Sequence, residues 1–265
     1  RRCGFQPIPS SVTAGASDFA VGDVRYPFLV IAENAKPVER PAATVWVAKS
    51  REDAPFARVT AKLEPIGVPG RSEAAFGGVT RIYVMHVRIP RPGRYWLVAE
   101  PNGAKTQALG YIDVAGRSRS VPLGAKAPRS DTPTLATGPA AKITTSRPPD
   151  LPLLHTSVAQ ALAARRPFVV TFATPRFCTS RTCGPVVDVM EAVRRQFASR
   201  GIDFMHVEVY KDNDPTKGYN RWMRQWGLLS EPWVFLVGSD GRVKAKFEGS
   251  VSAAELSAAV RAHLL

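Results

Sequence analysis

The sequence predicts two domains, an all-β half followed by an α/β half, and three observations carry that prediction. Short runs rich in Val, Ile, Tyr and Phe fill the first 115 residues, separated by Pro, Gly, Asn and Asp clusters. Prolines among Ser, Thr, Gly and Ala then dominate residues 116–150. Helical and strand periods alternate from residue 151 onwards. A length of 265 residues suits two domains of ordinary size. The boundaries read as a tail over 1–17, a β domain over 18–115, a Pro-rich linker over 116–150 and an α/β domain over 151–265.

In the first half the strand candidates are Arg25–Ile31, Thr44–Ala48, Thr80–Ile89, Gly93–Ala99 and Ala108–Val114. Val45 and Val47 alternate with Trp46, and Ile82, Val84 and His86 alternate with Tyr83, Met85 and Val87. Such alternation suits a sheet with two unlike faces. Pro90-Arg91-Pro92-Gly93 reads as a tight turn into Tyr95-Trp96-Leu97-Val98. By pattern alone this half resembles an immunoglobulin-like β-sandwich. The linker that follows is semi-extended, because proline stiffens the chain.

In the second half, Ser157–Ala164 suits a short helix, and Pro167–Ala173 a strand apolar on both faces, which implies a sheet covered on both sides. Pro185–Arg200 places Val186, Val189, Met190, Val193 and Phe197 at helical spacing, with Gly201 as the stop. Ile202–Tyr210 reads as a strand and Tyr219–Trp226 as a short helix. Trp233–Val237 and Val243–Phe247 pair across Ser239-Asp240-Gly241. Ser252–Leu265 is a closing amphipathic helix whose Ser252 and Glu255 form a capping box.

Composition narrows the function. Apolar residues make up 45% of the chain, enough for real cores, and no run of eighteen apolar residues is present to span a membrane. The formal charge of +14 raises nucleic acid as a partner. The excess is spread over both halves without a basic stripe interleaved with aromatics, so no specific nucleic-acid binding is expected. Peripheral attraction to an anionic membrane or cell-wall surface is the plainer reading. Three cysteines exclude a disulfide scaffold but leave room for one redox or metal pair. Cys3 is a spare thiol, since Arg1-Arg2 do not suit a lipidation signal. Arg1 in the place of an initiator Met reads as a trimmed or processed chain, with any signal or anchor upstream of it.

The order helix, strand, helix, strand, helix, strand, strand, helix is that of thioredoxin, and residues agree with it. "PFVVTFATPRFC" resembles the thioredoxin strand that ends before the first active-site cysteine, and Pro185 falls where that family kinks its active-site helix. "GLLSEPWVFLV" resembles the segment with the cis-proline, which makes Pro232 that proline. "SDGRVKAKFEG" resembles the terminal hairpin. The resemblance covers about 115 residues and implies an α/β thioredoxin fold for the second half. It also implies thiol–disulfide exchange, with Cys178 attacking, Cys183 resolving and Pro232 beside them. Glu231 and Trp233, flanking Pro232, join Arg176 and Arg181 as the expected substrate contacts.

Two departures matter. The family spaces its cysteines by two residues, whereas Cys178 and Cys183 are separated by four. Five positions along one regular helix rise roughly 7.5 Å, and Cα atoms more than about 7 Å apart cannot be bridged. Cys178 is therefore expected in a loop and Cys183 at or just before the helix start, where the macrodipole favours a thiolate. Arg176 and Arg181 are expected to add to that effect. The second departure is Thr171, which stands where thioredoxins bury an acid that moves protons. Glu208, on the same strand face as His206, is expected to replace it, with its pKa raised by burial.

The resulting expectation is a thiol–disulfide oxidoreductase acting outside the cytoplasm, anchored if at all upstream of Arg1. Its partners would be protein thiols and disulfides and a redox partner, and it would act as a monomer without cofactor or bound metal. One alternative is a catalytically silent binding or scaffold protein. Another is a Cu(I) metallochaperone using the two thiolates and His155 or His206, although the copper-delivering relatives have different cysteine spacing. With His86 as its one histidine, the first half is expected to carry no chemistry. A 145–265 fragment should then match the whole chain on a small disulfide.

Overall fold

A computed structural model describes residues 10–72 and 78–265, and its chain divides into two compact units. The first combines the residues up to Glu64 with Arg81–Ser118; the second combines Pro65–Thr80 with Arg119–Leu265.

Among the described residues the first unit is a closed barrel of seven strands: β1 (Ser10–Ala14), β2 (Gly22–Ile31), β3 (Ala42–Ala48), β4 (Ala57–Pro65), β5 (Arg81–Ile89), β6 (Gly93–Pro101) and β7 (Ala108–Val114). Their order around the barrel is β1-β2-β5-β4-β3-β6-β7. Alternate residues point inward, so Tyr26, Phe28 and Val30 of β2 meet Tyr83, Met85 and Val87 of β5 and Tyr95 and Leu97 of β6 in one core. Closure depends on β1, which runs antiparallel to β2 and parallel to β7. Gly110 permits that seam: a Cβ there would lie 2.6 Å from Cβ of Val12 and 3.0 Å from its carbonyl oxygen.

The expected fold class, an immunoglobulin-like sandwich followed by an α/β thioredoxin fold, is overturned. The chain is mostly β, with a closed barrel in place of two open sheets and with mainly short helices. The physical reason lies in two strands that the apolar pattern did not mark. β1 (SSVTA) and β4 (ARVTAKLEP) carry few large apolar residues, and five strands without them cannot close. With β1 joining both ends, the sheet has no free edge to protect.

The second unit is built on a four-stranded sheet, order β11-β10-β8-β9, from β8 (Phe168–Phe172), β9 (Asp203–Val207), β10 (Trp233–Val237) and β11 (Val243–Glu248). β8 and β9 are parallel, while β10 runs antiparallel to β8 and β11. Among the described residues five α-helices accompany it: α1 (Ala140–Ile143), α2 (Val158–Ala163), α3 (Cys183–Gln196), α4 (Arg221–Gln225) and α5 (Ala253–His263). Successive residues of β8 face opposite ways. Val169 joins Val186, Met190 and Leu256 in one core, and Phe168, Val170 and Phe172 join Met205, Trp226 and Phe235 in another. That double covering explains the unbroken apolar run. The expected capping box of Ser252 with Glu255 is formed, and a second one joins Ser157 with Gln160 at the start of α2.

Two further segments complete this unit. From Arg119 the proline-rich stretch is docked along it, with Ser130, Thr132 and Thr134 buried. The Val121 amide donates to the Trp226 carbonyl, the Trp226 indole donates to Ser130 Oγ at 3.0 Å, and the Val243 amide donates to the Ala125 carbonyl. The segment between β4 and β5, expected inside the amino-terminal domain, also clusters here. Its Val68 packs against the α3 core, Ser72 Oγ donates to Asp188 at 2.8 Å, and Arg71 pairs with Asp150 and Asp188.

Candidate active site

The turn between β8 and α3 carries both cysteines. The Cys178 amide donates to the Thr174 carbonyl, and the Arg181 amide donates back to the Cys178 carbonyl, folding residues 174–181 tightly. Arg181 adopts φ 55°, and α3 begins at Cys183. The four-residue spacing is thus accommodated as the helix geometry requires, with Cys178 in a loop and Cys183 on the first turn. Both are free thiols, and both are buried.

Their ionisation is divided. The Cys178 thiol is lowered to about 6, first by its hydrogen bond with the Cys183 side chain, then by Ser180 and the amides of Cys183 and Thr182, all against the opposing effect of burial. Ser180 Oγ lies 3.2 Å from Cys178 Sγ and 2.7 Å from Thr182 Oγ1, so a short hydroxyl relay feeds the sulfur. Burial pushes the Cys183 thiol well up, and the neighbouring Cys178 sulfur and Glu231 push the same way. The amides opening the helix therefore stabilise charge on Cys178, where Cys183 was expected to gain it. The effect stems from hydrogen bonds rather than from Arg176 and Arg181. The sequence did contain the signal, since hydroxyls occupy three of the four positions in Cys178-Thr-Ser-Arg-Thr-Cys183.

Pro232 follows Glu231 through a cis peptide bond. Glu231, expected among the substrate contacts, pairs with neither Arg176 nor Arg181 among the described residues. Its carboxylate instead accepts from Tyr219 Oη at 2.7 Å and, more weakly, from Tyr210 Oη at 3.4 Å. The two rings stack with centroids 5.5 Å apart, and Phe177 meets Tyr210 edge-on. Burial, with Glu231 alongside, raises the Tyr210 phenol to about 12 and raises that of Tyr219 as well. Sequence reading missed both tyrosines, which reach this carboxylate from the connection between β9 and α4.

Glu208 is buried just past the end of β9, as expected, but it is engaged elsewhere. Its Oε1 accepts from the Thr145 amide at 2.6 Å and from Thr145 Oγ1 at 2.7 Å. Thr145 Oγ1 in turn accepts from the Arg176 amide at 3.2 Å, so Glu208 ties residues 144–146 to the cysteine turn. His206 Nε2 lies 3.0 Å from the Ala173 carbonyl oxygen and Nδ1 3.3 Å from Thr144 Oγ1. His155 is exposed. Among the described residues no group of three His, Cys, Asp or Glu side chains is placed to hold a metal ion. Thr171 Oγ1 donates to the Trp233 carbonyl. Trp233, expected as a substrate contact, is instead a core residue: it is 2% exposed, its indole donates to Ser230 and its ring stacks on Phe235. Arg176 and Arg181 are exposed beside Cys178, and Cys3 lies outside the described residues.

No family model and no curated protein matches the chain. Among solved structures it is similar to a thiol:disulfide interchange protein of the thioredoxin family from Chlorobium tepidum TLS, at 21% identity and a TM-score of 0.31. That likeness to a thioredoxin-like domain covers 38% of this chain and 81% of the other.

Proposed function

We propose that the second unit performs thiol–disulfide exchange, with Cys178 as nucleophile and Cys183 as resolving thiol. The observation that supports this reading is the unequal sulfur pair at the start of α3. One thiol is poised to ionise near neutral pH, and its hydrogen-bonded partner is held protonated. In the reducing direction, Cys178 thiolate attacks a substrate disulfide, an S–S bond forms between protein and substrate, and one substrate sulfur leaves as thiolate. Cys183 then loses its proton and attacks Cys178. The mixed disulfide breaks, the second substrate thiolate departs, and the protein has given up two electrons as its own disulfide forms. Glu231, the carboxylate that acts on Cys183, is the group we assign to receive that proton.

The location we infer is outside the cytoplasm, where an oxidising medium lets such a pair cycle. No helix among the described residues is long and apolar enough to cross a membrane. Protein thiols and disulfides are the partners this reading implies. Insulin reduction with dithiothreitol as donor tests it. Turnover above the buffer rate, abolished in Cys178→Ser, is expected. A rate equal to buffer would make the unit a silent binding module.

A further inference from the structure

Cys178 opens onto a groove of about 750 Å³ in the second unit, and its walls are unusually rich in arginine. Arg71, Arg147, Arg176 and Arg181 all line it. Arg71 is committed to the two acids there, lying 3.2 Å from Asp150 and 3.1 Å from Asp188. The other three are exposed and, among the described residues, form no ion pair with a carboxylate. Arg147 is oriented by Nη1, which donates to the carbonyls of Thr144 and Ser146. The Arg176 guanidinium stands 5.3 Å from the Phe177 ring centroid. Charge on Cys178 is already stabilised by hydrogen bonds from Cys183, Ser180 and backbone amides. The guanidinium forks thus remain available for a bound molecule, and such forks suit carboxylates. Glu231, which would oppose an anion, is held by Tyr210 and Tyr219 and is not part of this groove.

Resting on the redox reading above, we propose that the groove selects anionic disulfides, those with carboxylates flanking the sulfur, through Arg147, Arg176 and Arg181. Carboxylates of this kind occur on small thiols such as glutathione and on acidic protein segments. Exchange then follows the two steps already given, with the substrate disulfide as oxidant of the reduced pair.

The test uses the reduced full-length chain and follows its oxidation by three small disulfides. These are dithiodipropionate (dianionic), bis(2-hydroxyethyl) disulfide (neutral) and cystamine (dicationic). With each rate divided by that of the same disulfide with dithiothreitol, which removes the difference in leaving-thiol acidity, dithiodipropionate should react at least tenfold faster than cystamine at low salt, and the ratio should shrink at high salt as screening shortens the reach of charge. Changing Arg147, Arg176 and Arg181 together to Gln should bring the ratio to within about twofold. A control changing Arg195, Arg200 and Arg261 to Gln should preserve it, which separates the groove from the overall charge. Cystamine matching or exceeding dithiodipropionate, or a ratio that survives the groove variant, overturns the proposal. Oxidation by none of the three would sink the redox reading itself. A last comparison sets glutathione disulfide against a Glu-flanked cystine peptide of equal charge. The faster of the two assigns the groove to small thiols or to acidic protein segments, respectively.

Discussion

A thiol that ionises at about 6 reacts as thiolate at neutral pH, so alkylation of reduced Cys178 should rise with pH around a midpoint near 6. Ser180→Ala removes one of its donors and should move that midpoint up. Alkylation at pH 6 should then slow by roughly three- to tenfold, in line with a hydrogen bond to a charged group. Stability follows with a definite sign. Folding depresses the Cys178 pKa, so the unfolded chain binds more protons between pH 6 and 9. The reduced protein should therefore gain stability over that window relative to Cys178→Ser, and lose the advantage as pH falls through 6. Urea midpoints at pH 5 and 8.5 measure it. Proton transfer from Cys183 separates the two candidate acids. Glu231→Gln should slow resolution of the mixed disulfide by about tenfold or more, whereas Glu208→Gln should leave it nearly unchanged, because Glu208 bonds Thr145 through Oε1 and, unlike Glu231, is not among the groups that act on the Cys183 thiol. A faster resolving step in Glu231→Gln would mean that its charge merely opposes ionisation of Cys183. Glu208→Ala, by contrast, orphans buried donors of Thr145 and should cost about 1–3 kcal/mol of stability.

Elements were legible where sequence and packing agree. α5 was readable from Ser252 and Glu255, and β8 from its unbroken apolar run, because cap chemistry and two-sided burial leave direct marks. β1 and β4 were not, since a strand whose partners are fixed by closure needs little apolar content of its own. The docked course of residues 119–134 was equally hidden. Its buried residues include Ser130, Thr132 and Thr134; the Ser130 and Thr132 hydroxyls accept from the Trp226 indole and from the Val158 amide of α2, bonds that exist only once those elements are in place. At the site, the cysteines and Pro232 could be found by motif, while Tyr210, Tyr219 and Arg147 arrive from segments that no local pattern connects to them. Residues 65–72 offer a test at this scale. Gly67 has φ +78°, and a Cβ there would meet Ser72 and come within 2.8 Å of the Pro185 Cβ. Gly67→Ala should destabilise the second unit by about 1–3 kcal/mol in urea unfolding, and an unchanged midpoint would show that this segment does not brace α3.

For the whole molecule, the expectation that a 145–265 fragment equals the full chain no longer follows. Such a fragment lacks the acceptor for the Trp226 indole, the carbonyl that receives the Val243 amide, and Arg71 with Ser72. It should unfold at lower urea than the intact protein, with a 119–265 fragment intermediate; tryptophan fluorescence of the three proteins checks this. Matching transitions for all three would show the docked stretches to be energetically idle. The discontinuity of the second unit also sets an order of events on the ribosome. Residues 65–72 are made with the barrel, yet the surface they pack on is completed only after α3 and Asp188 have been synthesised, more than a hundred residues later. A nascent chain halted in between carries finished strands on either side of a segment still awaiting its seat. Vectorial synthesis therefore builds a delay into the cysteine groove: the wall that holds Arg71 is translated first and installed last.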